Sequence, residues 1–205
     1  MIKLNIDQGS EAWFAAKCGR VTGTRFSALV AGESTATYKD LVSNIACEII
    51  TGRMEPSYTN AAMEHGIETE PYARKEYESI FGVDVEEIGF VIPDDGHVYH
   101  EWIGVSPDGL TPDSLLEIKC PMMKTHLGYI SKGKLPSEYR YQVQGQLFVT
   151  GYSHCDFMSY VEGMKPFIIR VERDEELFAV FEARLDKLIA DVKTELETYN
   201  KYQYD

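Results

Sequence analysis

The chain has 205 residues, is 44% hydrophobic and carries a formal net charge of −13. One domain spanning residues 1–205 is expected for that length, and the periodic apolar segments that fill it exclude a disordered chain. No apolar run approaches the roughly 20 residues of a membrane span, and Met1-Ile2-Lys3-Leu4-Asn5-Ile6-Asp7 lacks the apolar centre of a signal peptide, so a cytoplasmic protein without a membrane partner is expected.

Taken in chain order, Ser10 is placed to cap a short helix carrying Trp13, with Gly19 beyond its end. A second short helix follows Thr22-Gly23-Thr24. Tyr38 to Arg53 predicts a helix whose apolar face is Leu41, Val42, Ile45, Ala46, Ile49 and Ile50. Asn60 to Phe81 predicts another, punctuated by Gly66 and Pro71 and stopped by Gly82. A β-rich stretch comes next: Val83 to Ile92, a hairpin-type turn at Asp94-Asp95-Gly96, His97 to Val105, and Leu115 to Cys120. Helices over Thr125 to Ser131 and Ser137 to Thr150 are followed by strands over Cys155 to Glu162 and Phe167 to Glu172. A long helix from Asp174 to Tyr199 closes the chain, with Leu177, Phe181, Leu185, Leu188, Val192, Leu196 and Tyr199 along one stripe. This order predicts an α/β fold, a mixed central β-sheet flanked by α-helices.

The acidic balance is awkward for a protein that handles nucleic acid, but local placement decides binding. Lys119, Lys124, Lys132, Lys134 and Arg140 stand together with Glu138 as the lone acid among them, and Lys17, Arg20 and Arg25 form a second basic group. Acid concentrates in the Glu172 to Glu197 region. Cys18, Cys47, Cys120 and Cys155 are scattered without a C-x-x-C pair, which argues for reduced thiols rather than a zinc or iron–sulfur site.

The densest chemistry lies in Ser106-Pro107-Asp108-Gly109 and Leu116-Glu117-Ile118-Lys119-Cys120-Pro121. Alternation along a strand sends Glu117 and Lys119 to one face, where Asp108 at the end of a preceding strand and turn could meet them. Two carboxylates suit a hard cation such as Mg²⁺. An ammonium beside it would help to lower the pKa of a water and to stabilise charge on a phosphate in transfer. Asp-Gly is also an ordinary turn and Glu-x-Lys an ordinary exposed strand pair; the apolar neighbours argue against simple exposure. Gly66-Ile67-Glu68-Thr69-Glu70 offers a third carboxylate, and its glycine would let another backbone come close. Composition alone does not choose among Glu64, Glu68, Glu70, Glu76 and Glu78. His65 is a further metal or phosphate candidate, against an ordinary surface or core histidine. Gln142 and Gln146 share a helical face at i, i+4 and can donate to a phosphate or orient a water without competing for a cation.

In sequence, G-x-x-x-E, S-P-D-G, L-E-x-K-C-P and Y-x-x-Q-x-Q resemble the phage lambda exonuclease family, the YqaJ-type viral recombinase nucleases of the PD-(D/E)XK superfamily. The resemblance runs from Trp13 to the C-terminal helix and implies a restriction-endonuclease-like core. It implies a processive 5′-to-3′ exonuclease on double-stranded DNA ends that releases mononucleotides. The 3′ overhang it leaves would go to a phage single-strand annealing protein for recombination. Homotrimeric rings threaded by DNA, in a bacterial cell hosting a phage or prophage, belong to the same implication. So does Mg²⁺, replaceable by Mn²⁺, with two ions per site when DNA is bound. A structure- or site-specific endonuclease of the same fold is the alternative, although no segment is spare for base reading.

Carried onto this chain, the resemblance makes Asp108 and Glu117 metal ligands with the Ile118 carbonyl, and Lys119 the group that positions and activates the attacking water. Glu70 would support the metal and the lysine, Gln142 would lie beside the water or scissile phosphate, and Ser106 would contact a phosphate. The family's Trp-x-x-x-Arg-x-Gly-x-x-Thr-x-Ser motif, which makes a 5′-phosphate pocket, reads Trp13-x-x-x-Lys17-x-Gly19-x-x-Thr22-x-Thr24 here. Lysine in place of arginine keeps the charge and loses bidentate geometry, with Arg20 or Arg25 as possible compensation. Lys132 and Lys134 are expected to touch the DNA backbone.

Overall fold

A computed structural model describes residues 1–55 and 61–203; the predicted helix start at Asn60 lies outside them. Its centre is a four-stranded sheet in the order β5 (Gly109–Leu110), β6 (Leu115–Lys119), β7 (His154–Ser159), β8 (Phe167–Glu172). The β6–β7 pair is parallel and both flanking pairs are antiparallel. A parallel pair needs a crossover, supplied here by α5 (Met123–Lys132), a 3₁₀ turn (Ser137–Tyr139) and α6 (Arg140–Thr150).

Alternation along β6 divides the core into two layers. Leu115 joins Phe157, Val143, Leu147 and the aromatic cluster of Phe26, Phe178 and Phe181. Leu116 and Ile118 face the other way, onto Ala73 and Tyr77 of α4 (Ala61–Phe81) and Met158 of β7. The first layer is completed by α2 (Arg25–Leu29), α3 (Ala36–Thr51) and α7 (Glu175–Lys201). Asp174 caps α7 by accepting from Leu177 N at 3.0 Å. Gly145 is the contact point between α6 and α2: a Cβ there would stand 2.8 Å or less from three ring carbons of Phe26.

The predicted mixed α/β architecture is the observed one, with differences in its parts. Ile49 and Ile50 are exposed, at 43% and 39%, and the α3 stripe through Leu41 and Ile45 continues instead to buried Glu48. Tyr199, at the end of the α7 stripe, is 59% exposed. The two long strands expected over 83–92 and 97–105 shrink to β3 (Phe90–Ile92) and β4 (Ile103–Gly104). The reason is local: His97 N donates to Asp94 O, His100 N to His97 O and Trp102 N to Tyr99 O, all within 2.9 Å. These turns use the backbone groups a ladder would need. The two stretches keep one antiparallel bridge, Val91 to Val105, and both short strands pair otherwise with segments the sequence pattern did not reveal. β3 is antiparallel to β1 (Ile2–Leu4), and β4 is parallel to β2 (Val21–Thr22), which follows α1 (Glu11–Lys17).

Candidate active site

β6 carries Glu117 and Lys119 on the face toward α6, and the turn before β5 brings Asp108 beside them. Lys119 Nζ is ion-paired with Glu117 Oε1. Glu117 is fully buried, so its charge requires partners. Two amides from α6 supply the rest: Gln142 Nε2 donates to Oε1 at 2.5 Å and Gln146 Nε2 to Oε2 at 2.6 Å. The i, i+4 spacing of the two glutamines lets one helical face grip both carboxylate oxygens. Asp108 Oδ2 accepts the Ile118 backbone N–H at 2.6 Å, which locks the S-P-D-G turn to the middle of β6.

Glu70 reaches this cluster through Arg74, one helical turn on. The buried guanidinium donates to Glu70 Oε1 at 2.7 Å and to the Asp108 carbonyl at 3.1 Å, and it pairs with exposed Glu87 at 3.0 Å. Arg74 was not anticipated as a site residue. Its only sequence signal was the i, i+4 relation to Glu70. Gly66 does not act as the expected close-approach glycine, since nothing stands within 4 Å of a Cβ built there. His65 is exposed, with Nδ1 3.5 Å from Thr69 Oγ1.

The electrostatics of the cluster show what it would accept. Burial first, then the neighbouring Glu117 charge, pushes the Asp108 carboxyl well above the usual range. Burial also raises Glu70, against the opposing pull of Arg74 and Lys119. Lys119 is raised by Glu117 and Asp108, which outweigh the desolvation that would lower it. Asp108, Glu117 and Glu70 outnumber the cations Lys119 and Arg74, and Arg74 is shared with Glu87; every donor atom is a hard oxygen. That set fits a divalent cation of the Mg²⁺ type. Among the described residues, no three acidic, histidine or cysteine side chains converge as a ligand group, so a backbone carbonyl such as that of Ile118 would have to complete the set. The described cysteines, Cys18, Cys47, Cys120 and Cys155, are free thiols.

A second, positively charged locus lies next to the first. Lys17 Nζ stands 3.5 Å over the Trp13 ring, and Trp13 Nε1 donates to Ser106 Oγ at 2.9 Å and to Gly89 O at 3.1 Å. Ser106, two residues before Asp108, thus joins the two loci, and its hydroxyl proton stays available to an acceptor. Arg25 makes a two-pronged pair with buried Glu48, whose Oε2 also accepts the Gly19 N–H at 2.8 Å. Desolvation, followed by repulsion from Arg25, lowers the Lys17 pKa to about 8. Gly23 packs against the Gln142 side chain, so the Thr22-Gly23-Thr24 turn touches the helix that grips Glu117. Thr24 is exposed and makes no side-chain cap bond to α2. Arg20 is committed elsewhere: its guanidinium donates to the carbonyls of Ala16, His100 and Ile103, tying α1 to the 97–103 turns. These bonds use Nε and Nη1 of the guanidinium.

Lys132 and Lys134 are exposed and line a groove of about 490 Å³ with Leu135, Pro136, Arg140 and Val171. Among the described residues no helix is long and apolar enough to cross a membrane.

A mixed sheet carrying Glu117 and Lys119 on its inner strand β6, with Asp108 in the turn before β5 and α6 across one face, defines a nuclease fold of the PD-(D/E)XK kind. Residues 12–153 match the YqaJ-like viral recombinase domain, and the chain belongs to that family. It is 36% identical to an alkaline exonuclease, LHK-Exo, from Laribacter hongkongensis, with a TM-score of 0.82 over 94% of this chain and 97% of that one. The same values hold for LHK-Exo in complex with dAMP. A phage related exonuclease from Haemophilus somnus shares the fold, at TM-score 0.65 and 15% identity over 88% of this chain and 96% of that one. An uncharacterized protein of Acanthamoeba polyphaga mimivirus is 28% identical over 166 residues, 74% of this chain, and the match spans only 29% of that protein.

Proposed function

We propose that this chain is a divalent-metal-dependent exonuclease that degrades one strand of double-stranded DNA from the 5′ end to mononucleotides. The observation that supports the reading is the meeting of the carboxylates Asp108 and Glu117 with Lys119, and of Glu70 through Arg74, near a basic locus at Lys17. The Trp13–Ser106 hydrogen bond joins them. An enzyme that counts from a phosphorylated end needs both. The relatives support the class of activity: LHK-Exo is an exonuclease, and its complex with dAMP holds a mononucleotide.

Asp108, Glu117 and the Ile118 carbonyl would hold Mg²⁺, or Mn²⁺ in its place, with a second ion joining when DNA is bound. The metal would polarise the phosphodiester and lower the pKa of the attacking water. The chain's own groups do the remainder. Ile118 N–H and the two glutamines fix the carboxylates before substrate arrives, so no reorganisation is needed at the moment of reaction. The Lys119 ammonium supplies positive charge and hydrogen-bond donors where charge develops on the phosphate. Arg74 holds Glu70 toward that site. Lys17, Ser106, Thr24 and Arg25 form the region that would receive the 5′-phosphate.

Both core layers lie against the same strand, β6, in support of a single nuclease domain. Assembly as a homotrimeric ring around DNA, delivery of the 3′ overhang to a phage annealing protein, and action in the cytoplasm of a bacterial host complete the proposal on the strength of the family resemblance. The test is digestion of linear duplex DNA labelled separately at each end, with 5′-phosphate or 5′-hydroxyl termini and a closed circle as control. Mg²⁺-dependent loss of the 5′ label as mononucleotide, with the circle intact, is the expected result. Cutting of the circle would replace the exonuclease reading with an endonuclease one.

A further inference from the structure

Gln146 is only 1% exposed. Its amide nitrogen is spent on Glu117 Oε2, while its Oε1 is buried without a hydrogen-bond partner among the described residues. Turning the amide over would aim that oxygen at a carboxylate, so the charge on Glu117 alone sets the orientation. Among the neighbours of Gln146 on α6, Val143 and Leu147 are buried apolar side chains. A leucine at 146 would fill similar space and remove the orphaned oxygen. An amide kept at some cost where an apolar side chain would fit points to a role beyond packing.

The division of donors around Glu117 shows what that role is. A carboxylate oxygen has two lone pairs. Oε1 receives both Gln142 and Lys119, whereas Oε2 receives Gln146. We propose that Gln146 is a positioning residue that pins Glu117 in the rotamer keeping a lone pair of Oε2 open to a divalent cation while Oε1 stays on Lys119 and Gln142. The inference rests on the nuclease reading above and extends it to a residue the matched motifs did not single out. Loss of the Gln146 amide would let Glu117 pivot about its Oε1 contacts and present Oε2 elsewhere.

The test compares Gln146→Leu and Gln146→Met with the unsubstituted chain; the unbranched methionine guards against misfolding of the leucine variant. Three quantities are read: Mn²⁺ affinity of the DNA-free protein by titration calorimetry, kcat and KM on linear duplex DNA, and the metal-free Tm. Expected are a fall of about 10–100-fold in Mn²⁺ affinity and in kcat, as for partners that orient metal ligands, with an unchanged KM for DNA; the metal-free Tm falls as well, because Oε2 of buried Glu117 loses its donor. Variants that bind Mn²⁺ and turn over normally would overturn the proposal. So would a lowered Tm with normal Mn²⁺ affinity, which would make Gln146 a strut between α6 and β6. If the unsubstituted chain neither binds Mn²⁺ nor cleaves DNA, the nuclease reading falls and this inference with it. An active unsubstituted chain with silent variants strikes Gln146 alone.

Discussion

The two halves of the candidate site solve opposite electrostatic problems. Around Glu117 the chain buries an excess of carboxylates and holds them with neutral amides, one lysine and one arginine. Around Lys17 it crowds cations and offsets them with a single buried acid, Glu48, and an aromatic face. The first half is rigid and short of positive charge; the second is half-buried and short of negative charge. Burial first, and then the Glu117 charge, pushes Asp108 up; burial first, and then repulsion from Arg25, pushes Lys17 down. A cation would relieve one half and a terminal phosphate the other.

Substitutions that unbalance one half should leave the other half's measurement intact. The largest effect is expected at the first. Lys119→Ala should lower kcat by about 10²–10³-fold, the usual loss when a transition-state charge donor is removed, while DNA binding in a gel-shift assay persists. Asp108→Ala should lose both activity and Mn²⁺ binding, and normal cleavage by it would remove Asp108 from the site. Next comes Glu48→Ala, which leaves Arg25 without its partner. Breaking a buried pair typically costs about 3–5 kcal/mol, and the partial exposure of Arg25 places this one toward the lower end. Denaturant unfolding measures it.

Lys17→Ala should equalise cleavage of 5′-phosphate and 5′-hydroxyl ends, and Lys17→Arg should widen the difference through bidentate contact. The same lysine predicts a pH dependence. With its pKa lowered to about 8, it loses charge as pH rises through that value, and the preference for 5′-phosphate should decline between pH 7 and 9. Stability should move the other way. Between this folded value and the unfolded 10.5 the unfolded chain binds the extra proton, so the Lys17 contribution to stability rises with pH across that window. The smallest effect belongs to Lys132 and Lys134. Replacing both by alanine should reduce the salt slope of DNA binding by about 0.9 for each phosphate these lysines neutralise and shorten processive runs on long substrates.

Much of this site was legible because strand periodicity is strict. Leu115 to Lys119 alternates with apolar residues, so Glu117 and Lys119 had to share a face, and the i, i+4 glutamines had to share another. The grip of both glutamines on one carboxylate was not legible, since it depends on a parallel crossover that sets α6 against β6. Glu48 was readable in principle as an acid standing seven residues after Leu41 on the α3 stripe, but the more apolar Ile49 and Ile50 masked it. The 97–102 segment misled because His97, Tyr99 and Glu101 alternate with Val98, His100 and Trp102 without paired strands to use that alternation. Tyr99 is instead a buried anchor, its hydroxyl donating to Asp186 on α7 at 2.9 Å.

Gly145 gives the molecule its ruler. Phe26 rests on the backbone of α6 at the one position without a side chain, and the turn leading into α2 consequently lies against Gln142. The close approach of that turn to α6 therefore depends on a missing methyl group. A methyl group at 145 would stand 2.8 Å or less from three Phe26 ring carbons, so Gly145→Ala would push α2 and the turn before it off α6, disturbing both halves without replacing a residue of either.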